Sequence, residues 1–208
     1  ISAVFQAISN SGLDDLSFLN LSGNFLNETT NYVKKLPPTL QRLDMNEVDF
    51  LVKSADSEKG NTLVDFFLSI LKKKWKSFFY LSFSHISCHN NNEGPFPPEK
   101  ALEFLFTKLK KCQNSSCKIL KGLSFSCNFI NDDFFEFIKK CTNLKSLYLD
   151  FCLDSKSPCL DSFCDSLENS LPNLNVLSFK GDVVQNRVIG DFFPTLCKSL
   201  KKCKSLNC

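Results

Sequence analysis

Apolar residues recur along this chain in one short pattern. In the stretch 144–152 they stand at Leu144, Leu147 and Leu149, and a small hydrogen-bonding residue, Cys152, closes the pattern. The same spacing returns at Leu16, Leu19, Leu21, Asn24, at Leu120, Leu123, Phe125, Asn128, and at Leu174, Leu177, Phe179, Asp182. Two copies keep the apolar triplet and place an aliphatic residue in the last slot: Leu40, Leu43, Met45, Val48 and Phe78, Leu81, Phe83, Ile86. A seventh, Cys203, Leu206, Cys208, is cut off by the end of the chain. The fourth and sixth places of each copy are two residues apart, so a strand points both to one face and points the third, fifth and seventh to the other. Between copies the apolar residues fall at helical spacing instead, and helices are predicted over 1–10, 62–74, 99–111, 132–140, 159–169 and 190–201. Ser11-Gly12 should end the first, Pro98 should open the third, and Pro194 should fit the first turn of the last.

One strand and one helix cannot bury their own apolar faces, whereas stacked copies can. A strand–helix–strand connection makes neighbouring strands parallel. Strands sit about 4.8 Å apart and packed helices about 8–10 Å apart, so a stack bends with its strands inside. The expected fold is α/β: one domain over 1–208, a horseshoe-shaped solenoid of six or seven repeats, with a concave parallel sheet and convex helices.

The pattern Leu-x-x-Leu-x-Leu-x-x-Asn/Cys resembles the leucine-rich repeat, and the helical segments are similar to its ribonuclease-inhibitor-like and cysteine-containing subclasses. The resemblance implies that the Asn of the last slot bonds backbone groups of the following turn, a role for Asn24 and Asn128, with Asp182 as substitute. Val48 and Ile86 cannot make those bonds, so irregular geometry is expected in the second and third copies. Those are also the longest, 38 and 42 residues from start to start. One carries a polar link, 53–59. The other carries 87–98, rich in Asn and Pro, which reads as an irregular loop of the kind that contacts partners. In function the resemblance implies a non-catalytic interaction scaffold. The repeat part of a GTPase-activating protein for Ran and the substrate-receptor repeats of an F-box ubiquitin ligase are the alternatives.

Composition and charge adjust this picture further. The 208 residues are 43% hydrophobic, enough for a folded domain; a start at Ile1 and a stop within a strand suggest a piece of a longer array. No apolar run reaches the ~18–20 residues of a membrane span, so no membrane is expected. The 11 Cys are odd in number and irregular in spacing, which suits reduced, buried thiols and a cytoplasmic or nuclear location. Sequons at Asn20, Asn27 and Asn114 read as chance. Acids gather at helix starts and lysines at helix ends, complementing the helix dipoles. A net charge of +3 is too small a bias to suggest nucleic acid.

The concave face takes the third, fifth and seventh places, mostly small polar residues. From it come the expected ligand contacts: Phe18, Asn20, Arg42, Asp44, Tyr80, Ser82, Tyr148, Asp150 and Lys180, with Phe18, Arg42, Tyr80 and Tyr148 as anchors of the types that dominate binding energy. The partner is a protein. His85 and Cys127 share one slot in successive copies, the proximity a Cys–His nucleophilic pair needs, but no orienting third group accompanies them. His85, Cys88 and His89 lack the spacing of a metal site. With no phosphate-cradling Gly loop, nucleophile elbow or metalloprotease helix motif, the expectation is neither enzyme, cofactor nor metal.

Overall fold

The structure, a computed structural model, describes residues 2–26, 30–52, 62–90, 94–150, 152, 160–180, 189–203 and 205–206. The polar link 53–59, Asp182 and the sequon at Asn27 lie outside them. The protein is α/β, and the chain divides into two compact units, 1–105 and 106–208. No helix among the described residues is long and apolar enough to cross a membrane.

The first unit runs α1 (Ser2–Asn10), β1 (Phe18–Asn20), β2 (Phe25–Leu26), α2 (Thr30–Lys35), β3 (Arg42–Asp44), β4 (Asp49–Val52), α3 (Thr62–Lys72), β5 (Tyr80–Ser82), β6 (Ser87–Asn90) and β7 (Gly94–Phe96), then enters α4 (Pro98–Leu109). Strands β1, β3 and β5 pair in parallel, with Leu19 beside Leu43 and Leu43 beside Leu81. A second parallel row, β2, β4 and β6, runs just beyond the first in sequence, and β7 folds back antiparallel on β6. Stretch 87–98 therefore begins as a hairpin of two strands rather than an irregular loop, because β4 offers β6 a partner strand. The apolar stripe of α3, Leu63, Phe66, Phe67, Ile70 and Leu71, is buried as its spacing requires. Phe66, Phe67 and Phe50 gather around Phe83, with centroids 5.2–6.2 Å from its ring.

The second unit continues with α5 (Asn114–Cys117), β8 (Gly122–Ser124), α6 (Asp132–Ile138), β9 (Ser146–Tyr148), α7 (Leu160–Asn169), β10 (Val176–Ser178) and α8 (Ile189–Leu200). Here β8, β9 and β10 are parallel, and Leu123, Leu147 and Leu177 lie side by side. Phe125 and Phe134 pack at 5.2 Å, with Phe106 against both and Phe135 reaching Phe163. Asn131 caps α6, its side chain accepting from the Phe134 amide at 3.2 Å.

One turn recurs after the main strands. Gly23, Glu47, His85 and Cys127, each eighth in its copy, have φ between +54° and +69°. The amides of Gly23, Glu47 and Cys127 donate at 2.8–2.9 Å to Asn46, Ser84 and Asp150. Asn24 Nδ2 donates to the Leu21 and Ser22 carbonyls, and Asn128 Nδ2 to that of Phe125. The copies ending in Val48 and Ile86 turn the same way, against the expected irregularity. Backbone bonds to the neighbouring strand hold their turns, and both aliphatic side chains are buried.

Two more expectations fail. The seventh copy forms no strand over its described residues; instead the Leu206 amide bonds the Cys203 carbonyl. Pro194 lies past the first turn of α8, inside the helix, where it withholds the amide that would bond the Gly190 carbonyl. Helices α2 and α5 were not anticipated; at six and four residues they are too short for a periodic stripe.

Candidate functional site

In the first unit, the parallel register sets Phe18, Arg42 and Tyr80 in a row, since all three hold the third place of their copies. The Arg42 guanidinium lies between two rings, 4.5 Å from the Tyr80 centroid and 5.3 Å from that of Phe18. It also grips Asp44 with both arms: Nε donates to Oδ1 at 2.9 Å and a terminal nitrogen to Oδ2 at 2.8 Å. The Asp44 side chain is 8% exposed, that of Arg42 48%. A planar cation between two π faces, tied by a bidentate carboxylate, has little freedom left. The row is thus ordered before any ligand arrives.

Beside it runs a polar network. Asn46 Oδ1 accepts from Ser82 Oγ at 2.6 Å and from the Ser84 amide at 3.0 Å, while the Asn46 amide donates to Ser22 Oγ. Asn20 is exposed, its Oδ1 accepting from the Ser22 amide. The second unit repeats the arrangement. Asp150 Oδ1 accepts from Ser178 Oγ at 2.8 Å and from the Lys180 amide at 3.0 Å, and the Asp150 amide donates to Ser126 Oγ. Tyr148, half-buried, lies between Ser124 and Ser178 in the register, and Lys180 is exposed.

The expected contact residues thus fall into two groups. The first unit brings together Phe18, Asn20, Arg42, Asp44, Tyr80 and Ser82. The second brings together Tyr148, Asp150 and Lys180. Within the first, Asp44 and Ser82 differ from expectation: both are buried. Their polar atoms are spent on Arg42 and Asn46, so they support the surface more than they present it. Phe18 is 48% exposed and Tyr80 half-buried.

His85 and Cys127 share their slot for a backbone reason, since both are exposed residues in the left-handed turn. His89 faces away from its neighbour Cys88 along β6. Its Nδ1 lies 2.7 Å from Asp49 Oδ2, and its ring stacks on Phe25 at 4.6 Å. Spacing along the chain shows no sign of this cluster, because its three members come from three separate strands. Burial pushes the Cys88 thiol up to about 12, with Asp49 and Glu99 adding to it, so it is a poor nucleophile. Burial also pushes Cys152 up to about 12, and its thiol donates to the Phe125 carbonyl at 3.1 Å. The nine described cysteines are all free thiols. Among the described residues no three His, Cys, Asp or Glu side chains are grouped to hold a metal.

No protein-family model matches the chain, and no curated protein matches it either.

Proposed function

We propose that the chain is a leucine-rich-repeat solenoid that acts as a protein–protein interaction scaffold, with a protein ligand seated on the open faces of its main strands. The Phe18–Arg42–Tyr80 row carries this reading. Aromatic and Arg side chains dominate interface energetics, and a row ordered in advance pays less entropy on binding. The recurring apolar triplet and the in-register leucines support the repeat assignment, and the concave horseshoe belongs to the same proposal. The alternative of a Ran GTPase-activating repeat is weakened by Arg42. An arginine finger must be free to reach a phosphate, whereas this guanidinium already holds Asp44. Nothing in the described residues favours the ligase-receptor alternative.

The test is a pull-down from native extract with mass spectrometry, followed by titration of the captured ligand. Tyr80→Ala and Tyr148→Ala should each weaken binding about tenfold or more, with the melting curve little changed. Unaltered affinity in both variants would remove the open faces as the binding surface.

A further inference from the structure

Lysines close the helices of both units, but the two sets differ in what they meet. In the second unit three of them meet carboxylates: Lys110 pairs with Asp133 at 2.7 Å, Lys139 with Asp165 at 2.7 Å and Glu136 at 2.8 Å, and Lys202 with Glu168, while Lys140 Nζ donates to the Lys110 and Cys112 carbonyls. In the first unit, Lys34 and Lys35 end α2, and Lys72, Lys74 and Lys76 end or follow α3, all exposed. Lys34, Lys35, Lys74 and Lys76 have no ion partner among the described residues. The two helix ends adjoin. Lys73 Nζ donates to the Lys34 carbonyl at 3.1 Å, and the Lys76 amide donates to the Pro38 carbonyl at 2.9 Å. Dipole compensation explains one cation per helix end but not this many uncompensated in one place.

We propose that the adjoining ends of α2 and α3 are a second docking surface, taking an extended acidic polypeptide segment. Charge complementarity selects an anion, and two features select its form. Thr39 Oγ1 donates to the Asp14 carbonyl, which ties exposed Asp14 and Asp15 to the segment after α2 whose Pro38 carbonyl holds the Lys76 amide. In this proposal the two carboxylates disfavour a broad anionic sheet and favour one narrow chain. The one aromatic among the lysines, Trp75, is already engaged. Its Nε1–H donates to the Ile70 carbonyl at 2.8 Å, its ring stacks on Phe78, and the Lys73 ammonium lies 5.1 Å from it. No free platform remains there for stacking bases, which single-stranded nucleic acid requires.

The experiment is fluorescence anisotropy of a labelled ten-residue polyglutamate peptide titrated with the full chain. Saturable binding is expected, about tenfold weaker for the triple variant Lys34→Glu, Lys74→Glu, Lys76→Glu, and weaker again when salt rises past ~0.5 M. A second-unit control, Lys118→Glu with Lys145→Glu, should bind as the parent does. The changed side chains are exposed, and circular dichroism verifies that each variant is folded; the triple Lys→Gln variant gives the same reading without added negative charge. No saturable binding, equal loss in the control, or preference for phosphatidylserine vesicles or oligothymidylate over the peptide would overturn the proposal.

Discussion

Three residues with ordinary side chains, Glu47, His85 and Cys127, hold the left-handed backbone conformation that glycine holds at Gly23. For an L-residue that conformation costs ~1–2 kcal/mol, and at Glu47 and Cys127 it persists because the amide at the turn is committed to the next strand. A Cβ built on Gly23 meets nothing within 4 Å. Gly23→Ala should therefore lose about 1 kcal/mol of stability through the backbone alone. Glu47→Gly should gain on the order of 0.5 kcal/mol, the relief of strain being partly offset by the greater freedom of glycine in the unfolded chain. Urea midpoints with unchanged slope would measure both, and a destabilising Glu47→Gly would show that the turn is not strained.

Among the elements, the packing of α6 against α7 is tuned by charge. Hydrogen bonding from Lys139, and secondarily from Asn169, holds the Asp165 carboxyl below its ordinary value. Bonds to Asp165 and Glu136 raise Lys139 in turn. Because the folded value of Asp165 is depressed, its contribution is present above the unfolded value of about 3.9 and fades as pH falls through the folded one. The Lys139 contribution persists at neutral pH and fades only as pH rises above the usual lysine range. Asp165 is exposed and Lys139 half-buried, so water screens the pair and it is worth a fraction of a kcal/mol. The urea midpoint of the parent should exceed that of Asp165→Asn at pH 7 and converge with it towards pH 3. A gap independent of pH would mean that the pair adds nothing.

At the level of the whole molecule, each unit has its own aromatic centre. Phe83 lies among Phe50, Phe66 and Phe67 in the first, and Phe134 among Phe106, Phe125 and Phe135 in the second. Both rings are buried, so Phe83→Ala and Phe134→Ala should each cost ~3–5 kcal/mol. Cysteines supply the local readout. Cys88 in the first unit and Cys141 in the second are buried, and burial raises both thiols, whereas Cys127 is exposed. In the parent, iodoacetamide should modify Cys127 well before either buried thiol. Phe83→Ala should speed labelling of Cys88, and Phe134→Ala that of Cys141. Unchanged rates would show that these rings do not hold their units closed.

The main strands and long helices were legible because their signals are local. A spacing of two puts Leu43 and Met45 on one face, and a helical stripe buries Phe66, Phe67 and Ile70, wherever the segment ends up. Copies of one spacing also aligned Phe18, Arg42 and Tyr80, the core of the candidate site. The second strand row was hidden, because strands of two to four residues show no alternation, and β6 is held by β4 and β7 on either side of it. Hidden too were the burial of Asp44 beneath its own neighbour Arg42 and the bond from Asp49 to His89, forty positions away. Periodicity assigns a side chain to a face through the geometry of its own backbone. Which polar group it meets there depends on distances between segments that spacing along the chain does not encode.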